Sequence, residues 1–130
     1  MAAAGRTTSH TAVQIDESLI GRRVLVGVCG GIAAYKTAAV VSRLVQGGAD
    51  VTVLMTPAAT HFVGPLTFEA LSGRAVYTDP WSQVESHDPQ HIALARETAV
   101  MLIAPCSMNM LARLANGQAD DVVSLVCSAI

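Results

Sequence analysis

The stretch His91–Asp121, HIALARETAVMLIAPCSMNMLARLANGQADD, decides the fold. A short helical pattern opens it. An apolar run over Thr98–Pro105 follows, of the length of one buried strand, and then a tight Pro-led turn and a second helix over Ser107–Gly117. The turn sets small and polar groups (Cys106, Ser107 and Asn109) at the carboxyl end of a parallel strand. In open α/β sheets, ligands bind at such strand ends.

The same strand, loop, helix order repeats upstream. RRVLVGVC, from Arg22, is a short β-branched run that ends in Gly30-Gly31 and reads as the first strand. The next segment carries Ala33, Val40, Val41, Leu44 and Val45 at helical spacing and closes on Gly47-Gly48, a C-cap signal. ADVTVLMT is the second strand. Thr56-Pro57 reads as an N-cap with proline at the first helical position, PLTFEALSG as a further short helix, and RAVYT as an edge strand. Two prolines and several Asp, Glu and Ser residues make Asp79–Gln90 a surface loop, and residues 120–130 begin a last helix. Alternating strands and helices imply an α/β protein: a three-layer, doubly wound parallel sheet with right-handed crossovers.

The bulk numbers narrow the class. A hydrophobic content of 52 % against 14 % charged residues, with a mean hydropathy of +0.45, is high. No apolar run reaches the roughly 18 residues of a membrane span. The apolar surplus is therefore assigned to a sheet buried on both faces, to subunit contacts, or to both. A net charge of −2 offers no electrostatic case for nucleic acid or an anionic membrane. Cys29, Cys106 and Cys127 show no CxxC or Cys/His cluster, which argues for reduced thiols in a cytoplasmic setting and gives no metal ligand set. Residues 1–20 read as a flexible tail and 21–130 as the folded domain. No signal-peptide pattern opens the chain, and a transit peptide has little basic charge to support it.

Several side chains stand where chemistry is plausible, each with a structural alternative. Gly30 and Gly31 between strand and helix admit close approach of backbone N–H groups to an anion, or simply make a tight turn. Their spacing is G-x-x-G-G-x-A, and the second strand ends in Leu54-Met55-Thr56 without the acidic group of a dinucleotide site. A hydroxyl at Thr56 suits a phosphate, and also a helix cap. His91 follows Pro89 just before an apolar helix; it is a capping or surface residue, or a proton carrier facing the strand ends. Asn109 offers an amide that clamps a carboxylate or fills a first helical turn. Cys106 reads as a small buried thiol, Asp120 and Asp121 as the start of the last helix, and Tyr77 and Trp81 as anchors. His10, His61 and His87 lack such context.

Together these pieces resemble the flavin-containing cysteine decarboxylase family. VGVCGGIAAYKTAAVVSRLVQGGADVTVLMTPAATHFV, PLTFEALSG, HIALAR and IAPCSMNMLARLANGQADD occur in the family's order and cover most of residues 22–130. The family's Pro-Ala-Ser-Ala-Asn-Thr signature stands here as Pro105-Cys106-Ser107-Met108-Asn109-Met110. The resemblance implies a flavodoxin- or Rossmann-like flavoprotein sheet and FMN as cofactor. The FMN phosphate is expected near Gly30, Gly31 and Thr56, and its ring near Ala104, Pro105, Cys106 and Ser107. It further implies His91 as the catalytic histidine and Asn109 as the ligand of the substrate carboxylate.

The implied reaction is FMN-dependent decarboxylation of 4′-phospho-N-pantothenoylcysteine to 4′-phosphopantetheine in coenzyme A biosynthesis. The thiol end is oxidised to a thioaldehyde, carbon dioxide leaves, and reduced FMN returns the electrons. Homotrimers or assemblies of trimers, with the flavin held between subunits, are expected. A non-catalytic flavin-binding or regulatory subunit and a flavin prenyltransferase-like enzyme are the alternatives, and a nicotinamide oxidoreductase fits least. The family's substrate-covering segment, Pro-x-Met-Asn-x-x-Met-Trp-like with a later cysteine, would lie beyond Ile130. A domain incomplete at its C-terminus, lacking the last strand or strands, is therefore expected.

Overall fold

A computed structural model describes residues 17–81 and 89–130. In chain order the described elements are β1 (Arg23–Val28), α1 (Ala34–Gln46), β2 (Asp50–Met55), α2 (Pro65–Ser72), α3 (Gln90–Arg96), β3 (Val100–Ile103), α4 (Met108–Ala115) and α5 (Val122–Ser128). The three strands form one parallel sheet in the order β2-β1-β3. β1 is central, and all of it after Arg23 is buried. A strand covered on both faces needs the near-continuous apolar run that Val24–Val28 supplies.

The period of two along the strands sorts the core into two layers. Val24, Val26 and Val28 meet Val51, Val53 and Met55 beneath Ala34, Val41 and Phe68 of α1 and α2. On the opposite face, Leu25, Cys29 and Leu54 meet Met110, Val122, Val123 and Val126 of α4 and α5, with Leu94 of α3 beside them. Each fully buried valine or leucine contributes about 1.5–3 kcal/mol through removal from water. Helices on both faces give the expected three layers.

Gly27 lets the second layer close. A Cβ there would lie 2.8 Å from Val123 Cγ1, so the missing side chain is what allows α5 to rest on β1. Asp121 starts α5. Its carboxylate accepts from the N–H groups of Val123 (2.9 Å) and Ser124 (3.0 Å), while Ser124 Oγ donates to it at 2.7 Å. Such a cap satisfies donors that the first helical turn leaves unpaired.

Four details differ from the sequence expectations. Thr56-Pro57 opens no α-helix. The Thr56 hydroxyl accepts from Ala59 N–H (3.2 Å) and closes one turn, which continues only as a 3-10 turn over Ala59–His61. α2 starts afresh at Pro65 behind extended Gly64, where proline's lack of an N–H costs nothing. The expected edge strand RAVYT shrinks to one parallel bridge, Leu54 to Tyr77, with Met55 N–H donating to Tyr77 C=O at 2.8 Å. β3 is an edge strand: α1 and α2 lie over β1 and β2, so Val100 and Leu102 stay exposed while Met101 and Ile103 pack inward. Residues 17–19 form a 3-10 turn, with Leu19 against the first layer. Residues 1–16 of the expected tail, and residues 82–88 of the loop with His87, lie outside the described residues.

Gly27→Ala forces a methyl into Val123 and should destabilise the chain by about 1–3 kcal/mol, read as a lower urea midpoint. Asp121→Ala removes the α5 cap and should cost about 0.5–2 kcal/mol by the same measurement, whereas Asp121→Asn should keep most of the wild-type stability.

Candidate functional site

The carboxyl end of β1 gathers three loops. Thr56 N–H donates to Val28 C=O (3.0 Å), Cys29 N–H donates to Pro105 C=O (3.2 Å), and Ala104 N–H donates to Gly27 C=O (2.9 Å). Thr37, buried on α1, adds a hydroxyl that donates to Ala104 C=O at 2.8 Å. The chain runs from β1 to β2 on one side and returns to β3 on the other, so the switch point lies between β1 and β3, at these loops. The Ala104–Pro105 peptide bond is cis.

At this end a cleft of about 310 Å³ is lined by Gly30, Thr56, Pro57, Ala58, Ser107, Asn109, Met110, Arg113 and Asp121. Gly30 has no positive φ; its requirement is proximity, since a Cβ would sit 2.6 Å from Ala58 Cβ and 3.1 Å from Ala58 C. α1 starts three residues beyond Gly31 with Ala33 at its N-cap and no side-chain cap. The Ala34 and Lys36 N–H groups donate to the Gly31 and Ala33 carbonyls (3.0 and 2.9 Å), so what this end turns toward the loop is the positive end of the helix dipole. Asn109, in the first turn of α4, is exposed. Ser107 caps α4 by accepting from Met110 N–H (3.1 Å). Burial pushes the Cys29 thiol above its ordinary range, against the opposing effect of hydrogen bonds from Ser107.

Ala104, Pro105 and Cys106 do not line this cleft. The first two carry the carbonyls that fasten the loops, and Cys106 packs against the second core layer. Gly31 lies against Pro105, at ordinary contact distance for a Cβ.

His91 sits elsewhere. Half-buried at the start of α3, it lines a second hollow of about 560 Å³ with Pro80, Trp81, Pro89, Gln90, Ala119, Asp120 and Leu125. The two hollows share no lining residue and meet across one ion-pair cluster. Arg113 lines the first and pairs with Asp120, which lines the second, and also reaches Asp121 at 3.7 Å. Within one chain, then, Gly30, Thr56, Ser107 and Asn109 come together and His91 does not join them. Ala58, Arg113 and Thr37 carry no mark in the sequence motifs. For Thr37 a signal existed: a hydroxyl between Ala33 and Val41 on the apolar face of the helix.

The Flavoprotein family model matches residues 13–130. The chain is 46 % identical over 106 residues to the coenzyme A biosynthesis bifunctional protein CoaBC of Bacillus subtilis (strain 168), covering 82 % of this chain and 26 % of that protein. The chain thus spans about a quarter of the length of the curated relatives it matches. Among solved structures it superposes on the FMN-dependent cysteine decarboxylase SpaF with a TM-score of 0.78 at 34 % identity, covering 85 % of this chain and 64 % of the other. A PPC decarboxylase mutant complexed with pantothenoylaminoethenethiol matches with a TM-score of 0.70 at 28 % identity, over 84 % and 60 % of the two chains. The switch-point cleft, the Gly30 loop and the Pro105–Asn109 turn are thus those of a chain that belongs to the Flavoprotein family, related to the flavin-dependent cysteine decarboxylases.

Proposed function

We propose that the chain is the FMN-binding part of a cytoplasmic decarboxylase that removes carbon dioxide from 4′-phospho-N-pantothenoylcysteine to give 4′-phosphopantetheine, in coenzyme A biosynthesis. The observation that carries this reading is the cleft at the switch point, where Gly30, Thr56, Ser107 and Asn109 converge. The cysteine decarboxylase and coenzyme A relatives support it.

The residues present fit a phosphate-bearing cofactor. Gly30 leaves the room a side chain would take, Thr56 supplies a hydroxyl, and the start of α1, with no side-chain cap, supplies partial positive charge. A cleft of about 310 Å³ takes a phosphate and its polyol chain more readily than a whole flavin. Exposed Ile32 beside Gly31, Tyr35 in the first turn of α1 and Met108 beside Ser107 offer apolar surface for the rest. In this reading copies of the chain associate as a trimer or an assembly of trimers, and the site is completed between them. None of the helices in the described residues is long and apolar enough to cross a membrane.

FMN, when bound, supplies the two-electron oxidation that turns the substrate's carboxylate into a leaving group. The chain's own groups do the rest. Gly30, Gly31 and Thr56 hold the phosphate end, and the turn Ala104–Ser107 backs the ring. Asn109 donates its amide N–H to the substrate carboxylate and fixes its direction. The imidazole of His91 takes and returns the proton at the sulfur-bearing end.

A second reading, flavin binding without turnover, draws on the separation of His91 from the cleft. His91→Asn discriminates. Under the decarboxylase reading it should lower turnover of phosphopantothenoylcysteine by about 10²–10⁴-fold, while flavin absorbance on the purified protein is retained. No turnover in the wild type with flavin bound favours the second reading; equal turnover in both proteins would instead remove His91 from the catalytic role. Thr56→Val should weaken FMN binding about tenfold, roughly 1.4 kcal/mol, in a fluorescence-quenching titration. Unchanged affinity would remove Thr56 from the phosphate site.

A further inference from the structure

Two thiols share one core layer behind the cleft wall, and the proposed reaction uses neither sulfur. Cys29 comes directly after β1 and is 1 % exposed. Cys106 comes after Pro105 in the turn that leaves β3, is half-buried, and packs against the core layer that contains Cys29. The β1–β3 register ends with Gly27 opposite Ile103, and beyond it the Cys29 N–H donates to Pro105 C=O at 3.2 Å, which sets the residue before Cys106 beside Cys29. Neighbouring strands run about 4.8 Å apart, and a disulfide spans Cα atoms roughly 4.4–6.8 Å apart. Cys106 directly follows the residue whose carbonyl takes the Cys29 N–H, and its side chain packs against the same core layer as Cys29. Ser107, the next residue, hydrogen-bonds the Cys29 sulfur, and Cys106 acts on the Cys29 titration as a nearby charge. Cys127, on α5, belongs to neither strand end and stands outside this core layer.

We infer that Cys29 and Cys106 form an oxidative cross-link site, in which a peroxide converts the pair into a disulfide that ties the β1 loop to the β3 turn. Cys106, the more accessible sulfur, attacks the peroxide. The O–O bond breaks, Cys106 becomes a sulfenic acid and one water leaves. The Cys29 sulfur then attacks that sulfenic sulfur. The S–O bond breaks, the S–S bond forms, and the Cys29 proton departs with the oxygen as a second water. Two thiols give up two electrons in all, and one hydrogen peroxide becomes two waters. A dithiol reductant reverses the step. Because burial keeps Cys29 protonated, it is the resolving partner and Cys106 the entry point. The link would fix Cys106 beneath Ser107, which lines the cleft, so the oxidation state of the pair bears on cleft shape.

The test is peptide mapping of the full chain after treatment with hydrogen peroxide at neutral pH and alkylation of the remaining thiols. A Cys29–Cys106 linked peptide pair is expected, with Cys127 alkylated, and dithiothreitol should abolish the link. Cys106→Ala should lose it, and Cys127→Ser should keep it. A chain that retains its circular dichroism yet links Cys127 instead, or stops at oxidised Cys106 without a link, would overturn the inference. FMN titrations of the oxidised and reduced chains should differ several-fold in affinity; identical affinities would overturn the coupling to the cleft. The mapping needs neither flavin nor substrate, so its outcome is independent of the decarboxylase reading on which only the titration rests.

Discussion

The last two residues of β1 and the one after them hold the site together. Through Gly27, Val28 and Cys29 the central strand accepts from Ala104, accepts from Thr56 and donates to Pro105. These three bonds continue the sheet past its regular end and set the loops after all three strands side by side. Ladder bonds at a buried strand end leave little freedom to the loop residues beyond it. A break here would separate Thr56 from Ser107 and leave no cleft, whatever the loops' own composition.

Close packing adds a second layer of constraint at two glycines in the same segment. Gly27 lacks a side chain where Val123 approaches, and Gly30 where Ala58 approaches. Neither glycine is there for a left-handed backbone. The first fixes α5, and with it Asp121, against the sheet; the second presses the loop after β2 against the loop after β1. On sequence grounds Gly30 serves either an anion or a tight turn. The geometry adds a cause that comes before either, contact between two loops far apart in the chain.

Legibility in the residues divides along the range of the forces. β1, β2, α1 and α4 show their periods and end signals locally, so pattern alone places them. Both Asp120 and Asp121 read as the start of the last helix on their charge; Asp121 takes that place, with Ser124 completing the cap, whereas Asp120 pairs with Arg113, a partner on α4. The Thr56-Pro57 signal was true in chemistry, an oxygen accepting from the N–H three residues on, but Gly64 and Pro65 offered a better start nearby. β3 reads as fully buried because an apolar run carries no mark of how many layers will cover it.

The cleft was foreseeable from Gly30, Thr56, Ser107 and Asn109, because in a parallel sheet every strand's end lies on one side. His91 precedes its strand. Position before β3 by way of α3 puts it at the start of a helix of the second layer, and nothing in the spacing says how far that start lies from the strand ends. The structure sets the Arg113 cluster between them: a cation facing the first hollow, a carboxylate facing the second, and Asp121 fixing both to the α5 cap. Any arrangement that brings an imidazole to Asn109 must therefore pass this barrier or approach from outside it. In the proposed assembly, a second copy seated on the exposed side chains near the cleft would meet that requirement from outside the core.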